Sequence, residues 1–220
     1  MKTILKALLG GLELIVSLPL AAAMLVNIVI DGTVSVTDSD FDREKQAVIN
    51  FLDGCYAKAQ SRPGLLTDFV SVNIFGGKDQ YRGFPFINCN NHVEIMNLTS
   101  ELTRYKHPKY VSTGIYSAIQ KGIYELQIKR KILPRQYIYL KTLVVVTDSR
   151  DKDSPNDVKD KVTNYDRGLC DDVFFYLIGI GAGGQLGIQE FNNVADKTLL
   201  IGSFGDLKEP LVGVLTLLSD

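Results

Sequence analysis

The sequence predicts an α/β protein built on a central, mostly parallel sheet, with helices on both faces. Three observations carry this. Residues 24–30, 143–146 and 173–180 form nearly unbroken apolar runs, the pattern of strands covered on both faces. Segments with apolar residues at helical spacing lie between them, so strands and helices alternate along the chain. Two of the runs end in a carboxylate, Asp31 and Asp148, and open α/β sheets bind ligands outside the carboxyl ends of their strands.

In chain order, residues 24–30 read as a buried strand interrupted only by Asn27. Asp38, Ser39 or Asp40 caps the helix that follows, with Phe41, Val48, Phe51, Leu52 and Tyr56 at helical spacing. The run 61–64, Ser-Arg-Pro-Gly, ends it. Residues 68–75 alternate as a strand that Gly76 and Gly77 close, and 78–91 read as loop or edge structure. A short helix is expected over 92–102. Ser112, Thr113 and Gly114 open a stronger one reaching about Ile132, with Ile115, Ala118, Ile119, Ile123 and Leu126 on its apolar face. Residues 137–147 form a strand, and 149–167 a polar loop with helical potential near 157–162. The strand at 173–180 is closed by the glycine-rich run 179–184, with Gly179, Gly181, Gly183 and Gly184, read as a tight turn. A short helix at 188–195, a strand at 198–201 and a helix at 207–218 complete the chain.

The 220 residues are 45% hydrophobic and 22% charged, with a net charge of −1. No basic stripe or aromatic–basic interleave supports a nucleic-acid partner. No linker or repeat divides residues 24–220, so they are read as one domain. Cys55, Cys89 and Cys170 form no Cys-x-x-Cys pair, so a zinc site is not expected. An oxidising compartment could pair two of them, whereas a reducing one would keep all three free. Residues 1–23 pair a basic start, Lys2 and Lys6, with an apolar middle and three alanines at the end, as a signal peptide or membrane anchor does. Glu13 interrupts the run, and Lys2, Lys6, Glu13 and Ser17 share one side of a helical wheel. An amphipathic N-terminal helix is therefore the alternative. Cleavage after Ala23 is expected on the first reading.

Asp31, Thr33 and Ser35 follow the first strand at spacing two. One carboxylate and two hydroxyls at a strand end suit a hard cation such as Mg²⁺, which prefers oxygen ligands. With Thr113 at the start of the second strong helix and Asp148 at the end of the apolar strand, this ordered set resembles the von Willebrand factor A-type domain. That family's metal-ion-dependent adhesion site reads Asp-x-Ser-x-Ser, then a distant Thr and a distant Asp. Thr33 replaces the first Ser and keeps its hydroxyl. The likeness extends over about residues 25–218 and departs from the family at Glu13 and in the insert 78–109.

The resemblance implies a Rossmann-like fold and a site for Mg²⁺, Mn²⁺ or Ca²⁺ made of Asp31, Thr33, Ser35, Thr113 and Asp148. Thr33 and Ser35 would offer hydroxyls, and Asp31 and Asp148 would act partly through water. Thr113 would bind directly in one conformation and through water in another. The open position would take an acidic residue of a partner protein, so the implied role is cation-dependent binding in adhesion or scaffolding, without catalysis. The implied location is secreted, or at the cell envelope or membrane through the N-terminus; a cytoplasmic location is the alternative.

Two rivals share these residues. The run Ile30-Asp31-Gly32-Thr33 is similar to the Asp-x-Asp-Gly-Thr motif of haloacid-dehalogenase-type phosphatases, but Val29 stands at the nucleophile position. A metal-free scaffold of the same fold is the other. Asp31 or Thr113 alone could simply cap a helix. His92 and His107 read as surface residues, and Asn97-Leu98-Thr99 is a glycosylation sequon whose meaning depends on a secreted eukaryotic context.

Overall fold

The computed structural model describes residues 22–61, 67–163 and 173–217. Residues 1–21 lie outside them, and with them the proposed targeting segment. Among the described residues, seven strands form one sheet in the order β3-β2-β1-β5-β6-β7, with β4 also paired to β2. Strands β1 (Ala23–Asp31), β2 (Phe69–Phe75), β5 (Tyr139–Thr147), β6 (Val173–Ile180) and β7 (Lys197–Ile201) are parallel. Strands β3 (Tyr81–Gly83) and β4 (Ile87–Asn88) run antiparallel at the β2 edge, which is where the irregular stretch 78–91 was expected.

The three apolar runs occupy inner positions, as their two-sided hydrophobicity predicts. Even-numbered β1 residues, Met24, Val26, Ile28 and Ile30, pack under α1 (Asp38–Gln60), α2 (His92–Arg104) and α6 (Lys208–Leu217). Odd-numbered ones, Ala23, Leu25 and Val29, face α3 (Ile115–Ile132), α4 (Asn156–Thr163) and α5 (Gly181–Phe191). Strand β1 starts at Ala23, buried and with its N–H on the Ile138 carbonyl at 3.0 Å. The boundary expected after Ala23 therefore falls inside the strand by one residue. Among the described residues no helix is long and apolar enough to cross a membrane.

Asn27, the odd residue in the first run, is fully buried on the α3 side. Its amide donates to Glu125 at 3.0 Å and to the Gly122 carbonyl at 3.2 Å, while Asn73 donates to Asn27 and, at 2.8 Å, to Glu125. Tyr81 adds a third bond to the Glu125 carboxylate at 3.2 Å. The network partners both side-chain amide nitrogens and the Asn27 oxygen, leaving the Asn73 Oδ1 without a partner among the described residues, and it ties α3 to β1 and β2. On the other face a Cys55–Cys89 disulfide, with Cα atoms 5.7 Å apart, joins α1 to the turn after β4.

The glycine run is not the tight turn expected. Helix α5 begins at Gly181 and ends at Phe191, earlier than the 188–195 helix expected. Its glycines permit backbone-on-backbone packing. A Cβ on Gly183 would sit 1.8 Å from the Asp148 carbonyl oxygen, and one on Gly187 would sit 2.5 Å from that of Ser149. Gly181 itself has φ +62°, a conformation that glycine adopts at little cost.

Candidate metal site

Asp31 ends β1 and is wholly enclosed. Its Oδ1 accepts the Thr33 N–H at 3.0 Å, closing a tight Asx turn, and its Oδ2 accepts the Thr147 hydroxyl at 2.8 Å. Gly32 permits the turn: a Cβ there would lie 2.7 Å from Ile74 and 2.8 Å from Pro108. The segment before α3 braces the loop, with the Val34 N–H on the Tyr110 carbonyl at 2.8 Å and the Tyr110 N–H on that of Gly32 at 3.0 Å.

From this floor a chain of hydroxyls rises to the surface. Thr33 Oγ1 is 2.8 Å from Ser35 Oγ, and Ser35 donates to Asp148 Oδ1 at 2.8 Å. Ser149 donates to the same oxygen at 2.9 Å. Asp31 and Thr33 are buried, Asp148 is half-buried and Ser35 is exposed, so the cluster opens to solvent at one side.

Asp31, Thr33, Ser35 and Asp148 are thus joined by hydrogen bonds. Thr113 arrives by its backbone. Its carbonyl accepts the N–H groups of Lys152 and Asp153 at 2.8 and 3.0 Å, in the loop just past Asp148. The next residue, Gly114, donates to the Gly76 carbonyl at the end of β2 at 2.7 Å. Among the described residues no hydrogen bond joins the Thr113 hydroxyl to the other four.

Neither helix-cap alternative describes these residues. Thr37 caps α1, accepting from the Asp40 N–H at 3.2 Å, in place of the expected Asp38, Ser39 or Asp40. At α3 the N–H groups of Tyr116 and Ser117 go to Asp151 and Ser154. Asp31 and Thr113 are left with no capping duty.

The electrostatics are those of a site short of positive charge. Burial first, and the charge of Asp148 second, push the Asp31 carboxyl up from 3.8 to about 6. Glu44, on α1, is fully buried and both its carboxylate oxygens lack a hydrogen-bond partner. Burial pushes its carboxyl well above the usual range, and the charges of Asp31 and Asp148 add to this, with the Asp31 backbone acting in the other direction. Two carboxylates and three hydroxyls, beside an orphaned buried acid, fit a hard divalent cation by donor chemistry. Among the described residues no three His, Cys, Asp or Glu side chains converge as a metal cluster by themselves, so the hydroxyls are essential to that fit.

The von Willebrand factor type A domain matches residues 26–204. The chain belongs to this family.

Solved structures repeat the fold of this type A domain at low identity. A von Willebrand factor type A protein from Catenulispora acidiphila superposes with a TM-score of 0.66 at 15% identity, over 88% of this chain and 42% of that one. Proximal thread matrix protein 1 from the mussel byssus, with a zinc-occupied adhesion-site motif, gives 0.67 at 16% identity, over 90% and 48%. The pilus adhesin SpaC from Lactobacillus rhamnosus GG gives 0.65 at 10% identity, over 90% and 31%. The chain spans less than half the length of these neighbours. No curated protein sequence matches it.

Sequence reasoning missed several residues of this type A domain's site. Thr147 and Ser149 flank Asp148 and bond to the motif carboxylates, and Gly183 and Gly187 let the Asp148 loop lie on α5. A Thr-Asp-Ser triplet after a strand was the available signal. His107 is not a surface residue: its side chain is only 4% exposed. It stacks on Phe41 at 4.7 Å and bridges the Thr33 carbonyl and Asp38, each at 3.0 Å. Val29 is fully buried in the α3-side core, so no nucleophile stands where the phosphatase motif needs one.

Proposed function

We propose that this type A domain is a divalent-cation-dependent protein-binding module, used in adhesion or as a scaffold, and not an enzyme. Asp31, Thr33, Ser35, Thr113 and Asp148 would hold Mg²⁺, Mn²⁺ or Ca²⁺, and an acidic side chain of a partner protein would complete the coordination. The observation that carries the reading is the hydroxyl chain from Thr33 through Ser35 to Asp148, which links two separate strand ends at a solvent opening.

The chain's own residues have defined parts. Thr147 and the Thr33 N–H hold the Asp31 carboxylate in orientation. Ser35 and Ser149 orient Asp148. Val34 and Val111, 57% and 81% exposed, lie next in sequence to the site's own loop and to the segment that braces it, and would offer apolar contact to whatever flanks the acidic residue. A cation supplies the positive charge that draws a carboxylate to a surface already carrying two. The Cys55–Cys89 disulfide supports a secreted or cell-surface location, because such bonds persist in oxidising compartments. A targeting role for residues 1–23 belongs to the same reading.

The test is a thermal melt in EDTA and in millimolar Mg²⁺ or Mn²⁺. A cation that binds only the folded state raises the melting temperature by mass action. Wild type is expected to shift upward, and Asp31→Ala to lose the shift. No shift of wild type with any divalent ion overturns the reading. Phosphate-ester hydrolysis that disappears in Asp31→Ala favours the phosphatase rival.

A further inference from the structure

Every other fully enclosed inward position of α1 carries an apolar residue: Phe41, Val48, Phe51, Leu52 and Cys55. Glu44 stands among them, fully buried, with no side-chain hydrogen-bond partner among the described residues and only the Asp31 backbone beside it favouring its charged form. Burying a carboxyl without a partner is costly, and an apolar side chain would fill the position at less cost. Among the described residues no lysine is paired to it. The adjacent Lys45 turns to Asp42 at 2.8 Å and to the Tyr105 carbonyl at 2.9 Å. The charged groups that act on Glu44 are other acids, Asp31 first and then Asp148 and Asp40. Three carboxyls act on one another here, with no lysine or arginine paired to Glu44 among the described residues, so in the metal-free protein the charge is relieved by protons, and a bound cation would take their place.

The structure assigns Glu44 to the cation site as a third, buried carboxylate, acting from beneath Asp31 on the ion's inner hydration and not as a direct ligand. This rests on the cation-binding reading above. Among the described residues Asp31, Asp148 and Glu44 do not converge as a metal cluster by themselves, which is consistent with an indirect role. Groups in this outer position orient the ligands and add charge, and their removal typically weakens metal affinity about 10- to 100-fold. Glu44 is therefore a positioning residue, and it explains why an acid occupies a place in the core where leucine would pack.

The experiment is calorimetric titration of Mn²⁺ into the full chain, comparing wild type, Glu44→Gln and Glu44→Leu, with melting in EDTA measured alongside. Both variants are expected to bind Mn²⁺ at least about tenfold more weakly while melting as high as metal-free wild type or higher. A purely structural Glu44 gives the opposite: altered melting with Mn²⁺ affinity within about twofold of wild type, which overturns the assignment. If wild type itself binds no Mn²⁺, the cation-binding reading fails first. Should neither variant fold, a Mn²⁺-soaked crystal of wild type decides. A Glu44 oxygen hydrogen-bonded to a Mn²⁺-bound water supports the assignment; a Glu44 carboxyl with no water between it and the ion, and no contact to either, overturns it.

Discussion

Asp31 carries the electrostatic load of the site. In the metal-free protein its carboxyl lies near 6, raised from 3.8 by burial and by Asp148. A native group that binds its proton more tightly than the unfolded chain adds stability at low pH. That contribution is lost as pH rises from about 4 through about 6. The amount is on the order of 3 kcal/mol. Metal-free wild type is thus expected to lose this increment across the window, whereas Asp31→Asn shows a flatter profile. Denaturant unfolding in EDTA at several pH values measures it, and equal slopes for the two proteins would remove Asp31 as the cause. Above pH 6 a cation offsets the same repulsion, so its stabilising effect should grow with pH. The spacing of Asp31, Thr33 and Ser35 was legible in sequence because a strand end fixes their direction. Glu44 was not, because a lone acid on an amphipathic helix reads as solvated until the packing shows it enclosed.

At the scale of elements, α5 decides where Asp148 sits. The carbonyls of Asp148 and Ser149 rest where Cβ atoms of α5 would otherwise be. Gly183→Ala forces the loop and helix apart. It is expected to destabilise the protein by about 1–3 kcal/mol, as overpacking does, and to reduce the Mn²⁺-induced melting shift beyond that loss. Gly213→Ala, on α6 where a Cβ meets nothing within 4 Å, is the control and should leave the shift intact. An unchanged shift in Gly183→Ala would mean that the loop finds its position without the close approach. This element was misread from sequence for a physical reason. A glycine run scores as turn by local propensity, but here close packing against the β5 loop outweighs propensity and a helix results. Strands β1, β5 and β6 were readable because being covered on both faces leaves a nearly unbroken apolar run. The edge strands β3 and β4 were legible only as irregularity, since three and two residues are too short to show a period.

For the whole molecule, the Cys55–Cys89 bond closes 34 residues of sequence separation. Constraining a loop of that size in the unfolded chain is worth roughly 3–4 kcal/mol. Reduction, or the paired Cys55→Ser and Cys89→Ser variant, is expected to lower the melting temperature by about 6–16 °C for a protein of this length. A melt with and without dithiothreitol checks this, and coincident curves would show that the bond is not formed in the protein as made. The pairing could not be read from sequence, since three cysteines leave several choices and the 34-residue separation shows nothing of the sheet edge that brings the ends together.

The position of β1 has a mechanical meaning. The strand runs from Ala23 at one end of the sheet to Asp31 beneath the site, with parallel partners in register over seven residue pairs on each side. A pull applied between the site and the chain before Ala23 would act along the strand axis. The ladder bonds to β2 and β5 lie across that direction, so they resist in shear and must fail together. A strand at the sheet edge could be peeled away one bond at a time; one clamped between two neighbours cannot. Load entering at either end of β1 is therefore shared by both neighbouring strands along its whole paired length.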